Sequence, residues 1–125
     1  MGNYKELEIY QISFALAIKV HHLTMTLPKY ELYEQGSQVR RSAQSIKDNI
    51  AEGFGRRRYK LEYIRFLIFA HASCDEAISQ LEMINTLYFK DDPKDDLIRD
   101  FNTLGSKINR FIQHVEKNWN PTPTP

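Results

Sequence analysis

The sequence predicts an all-α fold, an antiparallel up-down-up-down four-helix bundle. Three observations carry this. Apolar residues recur at three- and four-residue spacings along most of the chain, which gathers them on one face of a helix. No run alternates apolar and polar residues between hairpin turns, so no sheet is expected. Pro28, Gly53-Phe54-Gly55, Asp91-Asp92-Pro93 and the Pro-rich end are the strongest breakers, and they cut the chain into four segments. Helices are predicted near residues 4–26, 35–53, 57–88 and 94–118. Rods of roughly 28–48 Å joined by short loops pack as antiparallel neighbours.

Along the first helix, Ile9, Ile12, Leu16, Val20, Leu23 and Leu27 form a core stripe, and Leu7, Phe14, Ile18 and Met25 form a second one. On the second helix Val39, Ala43, Ile46 and Ile50 are the core positions. Ser42, Asn49 and Gly53 lie on one shoulder of that stripe, Arg40 and Lys47 on the other. Small residues there let helices approach closely, and Asn49 is expected to bond to a neighbouring helix and Glu52 to pair with an Arg. The third helix carries a broad stripe from Tyr63 through Leu67, Ala70, Cys74, Ala77 and Leu81 to Tyr88. Phe69, Ala72, Met83 and Leu87 lie on its opposite side. On the fourth, Leu97, Phe101, Leu104, Ile108, Phe111 and Val115 mark a single buried face. Two apolar faces on one helix need two partners, so Leu7, Phe14, Ile18, Met25, Phe69, Met83 and Leu87 are expected to form an interface between copies of the chain. The alternative is a wide core with tilted helices.

A chain of 125 residues has room for one domain, placed at residues 1–118, with residues 119–125 as an extended Pro/Thr-rich tail. The composition, 42% hydrophobic and 26% charged, is that of an ordinary globular protein. One Cys excludes a disulfide framework or a Cys-rich zinc site within one chain and suits a reducing cytoplasm. The apolar stretch from Ile9 to Ile18 is too short to span a bilayer, which takes about 20 residues. A cytoplasmic location with no membrane partner is therefore expected.

Enzyme chemistry finds little support. The Glu-x-x-His pairs of a di-iron bundle are missing, His21 and His22 point to different faces, and His71 and His114 stand alone. Cys74 follows His71 by three residues but falls in the middle of the core stripe, where a thiol is an inert small hydrophobe. Asp91, Asp92, Asp95 and Asp96 lack the Gly and the spaced ligands of a calcium loop. Gly53-Phe54-Gly55 alone is no nucleotide fingerprint. Neither a catalytic residue nor a metal or cofactor is assigned.

The densest chemical feature is Arg56-Arg57-Arg58-Tyr59-Lys60, at the start of the third predicted helix. A helix N-terminus presents unpaired N–H groups and the positive end of the dipole. Guanidinium groups there suit phosphate, and Phe54, Tyr59 and Tyr63 offer faces on which bases could stack. Arg40 and Lys47 would extend the patch. A solvated basic turn, or half of a salt-bridge set between subunits, is the competing reading. Nucleic acid, RNA or single strands, is the expected partner; the alternative is a protein–protein adaptor whose basic turn docks an acidic surface.

The same stretch resembles a known family. Leu27-Pro28 with Glu31, Gln38-Val39-Arg40-Arg41-Ser42-Ala43, Ser45-Ile46 and Asn49-Ile50-Ala51-Glu52-Gly53-Phe54-Gly55-Arg56 are similar to the signature of small bacterial four-helix-bundle proteins related to the ribosomal-RNA intervening-sequence proteins. Tyr63-Ile64-Arg65-Phe66-Leu67, Ala70, Ser73, Glu76 and Leu81 extend the likeness. Asn49, Glu52, Gly53 and Gly55 belong to its structural motif. The resemblance implies a helical bundle, pentameric rings as in some members, and no catalytic activity. It also implies relatives among accessory proteins of diversity-generating retroelements, which bind nucleic acid and a reverse transcriptase. The chain departs from that pattern at Ala72, where a Gly is usual, and in its tail from Trp119 to Pro125.

The formal net charge of +1 conceals two poles. Residues 40–65 hold eight basic and three acidic side chains, and residues 75–100 hold three basic and eight acidic. Near-neutrality thus excludes only a uniformly basic surface.

Overall fold

Local chemistry sets where each helix starts and stops in the computed structural model, which describes residues 2–120. The Asn3 side chain accepts a hydrogen bond from the Lys5 N–H and opens a 3-10 turn at Tyr4–Glu6. Leu7 is extended, and its carbonyl accepts the first bonds of α1 (Glu8–Thr24) from Tyr10 and Gln11. The first helix therefore begins four residues later than the pattern predicts. Pro28, fixed near φ −53°, introduces a single turn, α2 (Lys29–Leu32). Three long helices follow: α3 (Gln35–Gly55), α4 (Lys60–Tyr88) and α5 (Asp95–Asn118). No strand occurs among the described residues.

Gly53-Phe54-Gly55, read in the sequence as a break, is the last turn of α3. Gly53 is there for contact. A Cβ at that position would lie 3.1 Å from the Phe66 Cβ and 3.3 Å from Tyr63 Cδ1, so any larger residue there presses α4 outward by a few tenths of an ångström. A Cβ added at Gly55 would meet no other part of the protein within 4 Å. The true break is Arg56 to Tyr59, so Arg57 and Arg58 leave the predicted third helix and form a turn.

The four long helices form an antiparallel up-down-up-down bundle. α3 packs on α4, α4 on α5, α1 on α3, and α1 closes against α5, while α1 and α4 occupy opposite corners. Glu8 pairs with Lys107 and Lys19 with Asp100, so α1 and α5 run in opposite senses. Val20, Val39, Ile46, Ile50, Tyr63, Leu67, Leu81, Ile84, Phe101, Leu104, Ile108 and Val115 are fully buried between them. One end of the bundle gathers the start of α1, the α3–α4 turn and the end of α5; the other gathers α2, the end of α4 and the start of α5.

Outer stripes survive this packing. Phe14 and Ile18 on α1, Met25 at its C-terminal cap, and Phe69, Met83 and Leu87 on α4 are each between 40% and 55% exposed. Leu7 is a correction. It is 4% exposed and belongs to the core, because the 3-10 turn folds it inward ahead of α1.

Candidate nucleic-acid interface

The α3–α4 turn starts where the last α3 carbonyls are satisfied. The Arg56 N–H donates to the Glu52 and Gly53 carbonyls, the Arg57 N–H to Phe54, and the Tyr59 N–H to Arg56. Tyr59 precedes α4 in an extended conformation with no side-chain cap, so the first N–H groups of α4 face outward without a side-chain acceptor.

Three arginines in a row do three different things. The Arg57 guanidinium lies 3.9 Å over the Phe54 ring and donates to the Phe54 carbonyl at 2.8 Å, so it is turned inward. Arg56 donates from Nε to Glu52 at 3.0 Å, stands 4.0 Å from Glu62, and lies 4.7 Å over the Phe66 ring. Arg58 is exposed, and no acidic side chain among the described residues pairs with it; the same is true of the half-buried Lys60. Gly55, Arg56, Arg58, Tyr59 and Glu62 line an open cleft of about 540 Å³. Tyr59 is 63% exposed on its rim, with the Arg58 guanidinium 5.9 Å from its ring centroid.

Two residues expected in the patch lie elsewhere. Arg40 donates to Thr24 Oγ1 at 3.0 Å and to the Leu32 carbonyl at 2.8 Å, pinning the α1–α3 connection. Sixteen helical residues separate it from Arg56, about 24 Å along α3. Lys47 pairs with Asp48 at 2.8 Å. Asn49 does not cross to a neighbouring helix. It donates to the Ser45 carbonyl and Oγ, and Ser45 makes the crossing by bonding Ser73 on α4 at 2.9 Å.

The pattern also missed contributors. Because α5 is antiparallel to α4, its last turns return to this end and bring exposed Arg110 and Lys117. Trp119, placed in the tail by composition, donates its indole N–H to the Arg57 carbonyl at 2.9 Å and sets its ring 5.2 Å from Tyr63. Burial pushes the Tyr63 hydroxyl up to about 12, against a smaller lowering effect of Arg57. A count along the chain could not register this end, since Arg40 and Arg41 inflate the basic stretch from the opposite pole. The rest of the tail, residues 121–125, lies outside the described residues.

Elsewhere the chemistry is structural. Cys74 is fully buried, donates to the Phe101 carbonyl, and is pushed up to about 12 by burial and then by Asp75. At neutral pH it is a thiol, unsuited to nucleophilic attack. No cluster among the described residues gathers three metal-ligating side chains, and no helix there is long and apolar enough to cross a membrane.

A family model described as the 23S rRNA-intervening sequence protein matches residues 5–110. The chain belongs to the 23S rRNA-intervening sequence protein family. This is not a known enzyme family. The match takes in α1 to α4 and most of α5, and leaves Trp119 outside it. The chain is also similar in structure to a crystal structure of a protein of unknown function from the S23 ribosomal protein family of Bacteroides thetaiotaomicron. The TM-score is 0.62 at 22% identity, covering 88% of this chain and 99% of that one. That likeness speaks to the fold alone. No curated protein matches the chain.

Proposed function

We propose that this family member is a non-enzymatic helical scaffold of the cytoplasm that self-assembles and binds nucleic acid, as RNA or single strands, through the basic end of the bundle. The observation that carries the reading is the α3–α4 turn. Arg58 and Lys60 have no acidic partner among the described residues, flank an uncapped helix N-terminus, and stand beside exposed Tyr59. Arg110 and Lys117 add charge to the same end.

Assembly draws on the outer stripes. The α1 stripe and the α4 stripe occupy opposite corners, so a contact joining one to the other is head-to-tail, and such contacts make a ring when the rotation between subunits closes. Between Phe69 and Met83 the α3–α4 surface opens into a polar groove of about 340 Å³ lined by Gln38, Arg41, Ser42, Ser45, Ser73, Glu76 and Gln80. The Gln80 Oε1 there is buried with no donor among the described residues, and a neighbouring subunit would supply one. A pentamer is the ring that the family resemblance suggests. Each added subunit repeats the basic end and multiplies a weak site by avidity.

The test is a titration of single-stranded RNA at increasing salt with the wild type and an Arg58→Ala/Lys60→Ala variant. Arg56 and Arg57 are left in place because they hold the turn. Binding that weakens steeply with salt, and at least tenfold on loss of both cations at low salt, is expected. No wild-type binding at low salt would contradict the reading, and selective capture of an acidic polypeptide would put the adaptor in its place.

A further inference from the structure

Trp119 lies beyond the segment matched by the family model and is the sole Trp of the chain. It is also the last residue of a closed ring of contacts. Its indole stands edge-on to Tyr63 at 5.2 Å, and Tyr63 is edge-on to Phe54 at 6.5 Å. The Phe54 face carries the Arg57 guanidinium at 3.9 Å, and the Phe54 carbonyl accepts from it. The Arg57 carbonyl then accepts the indole N–H of Trp119 at 2.9 Å. Four residues from α3, the turn, α4 and the end of α5 thus hold one another, with the turn backbone in the middle.

We propose that Trp119 is the positioning residue of the basic turn. Its N–H fixes the Arg57 peptide so that the Arg57 side chain stays folded over Phe54 while Arg58 and Lys60 point outward as the anion-binding pair. This rests on the proposed nucleic-acid role of that turn. The physical reasoning is local. A turn of four residues between two long helices has few bonds of its own, and the Arg57 carbonyl takes its donor from a segment about 60 residues away. With that donor removed, the peptide plane is free to rotate, and the side chains on either side of it lose their division into one inward and one outward cation. An aromatic filling the end of the core would need no N–H; a positioning residue does.

Trp119→Phe separates the two roles, because it keeps an aromatic ring against Tyr63 and removes the donor. Three readouts are compared with wild type: thermal melting, amide hydrogen exchange of residues 56–61, and affinity for a single-stranded oligouridylate at low salt. The expected result is exchange about tenfold faster in the turn, affinity about three- to tenfold weaker, and a melting temperature within a few degrees of wild type. Trp119→Ala is the second variant and should show the same loss of affinity with a lower melting temperature. Turn exchange and affinity both unchanged in Trp119→Phe would overturn the inference while leaving the nucleic-acid reading intact. Failure of the wild type to bind the oligonucleotide would overturn the functional reading and this inference with it.

Discussion

Gly53 and Gly55 look interchangeable in the sequence, two residues apart in one motif, yet they meet different surroundings. A methyl group at Gly53 would stand 3.1 to 3.4 Å from Phe66 and Tyr63, close enough to press on α4. Gly53→Ala is expected to destabilise the protein by about 1–3 kcal/mol. Gly55 sits in the last turn of α3 with open space around it and no positive φ. Gly55→Ala should stabilise by about 0.4–1 kcal/mol, because alanine has less freedom to lose on folding. Urea unfolding of the two variants reads both signs. The buried Cys74 and Tyr63 make a second prediction at this scale. Both hold their protons to about 12, against ordinary values of 9.0 and 10.0. A raised folded-state value means the contribution to stability is complete below the unfolded value and is lost as pH rises towards the folded one. Stability should therefore fall from about pH 9 upward, and Cys74→Ala should move the onset of that fall towards pH 10.

At the scale of elements, the four long helices were legible because each repeats its apolar spacing over several turns. The start of α3, the end of α4 and both ends of α5 fall within a residue of the predicted bounds, whereas the start of α1 and the α3–α4 break do not. α2 was not legible, since a four-residue helix is too short to show a period. It is specified instead by one contact set. Buried Glu31 accepts hydrogen bonds from the Tyr88 hydroxyl and the Gln35 amide, which ties α2 to α3 and α4. The bond from Tyr88 to Glu31, and then the one with Tyr30, raise the Tyr88 hydroxyl. The extension of α3 through Gly55 was hidden because composition shows a glycine but not its role. Gly53 answers to its neighbours in space rather than to the turn its residue type suggests. The basic cluster itself was legible, whereas the division of labour within it was not. Which of three adjacent arginines points inward depends on Phe54, Glu52, Glu62 and Trp119, and the last of these is far away in sequence.

The whole molecule is a rod with distinct ends and two unpartnered edges. Seven stripe positions were expected to face outward, and Leu7 turned inward because its segment leaves the helix. The remaining six keep their exposure on diagonal corners, and this makes the oligomeric state a property of the whole rod. Light scattering should give a multiple of 14.7 kDa for the wild type. A Met83→Asp/Leu87→Asp variant should fall to a single chain mass with its helical content retained. A wild-type protein that scatters as one chain would remove the role assigned to the stripes.

The charge asymmetry is likewise a property of the whole rod. Antiparallel packing brings the end of α5 beside the α3–α4 turn and sends Arg40 and Arg41 to the opposite end, so the poles read along the chain are redrawn in space. Hydrogen exchange of the wild-type protein with saturating single-stranded RNA maps the surface that is used. Protection concentrated in residues 55–61 and 110–119 is the predicted result. Protection confined to α2 and residues 89–96 at the other end, or spread along the bundle with none at the turn, would contradict it.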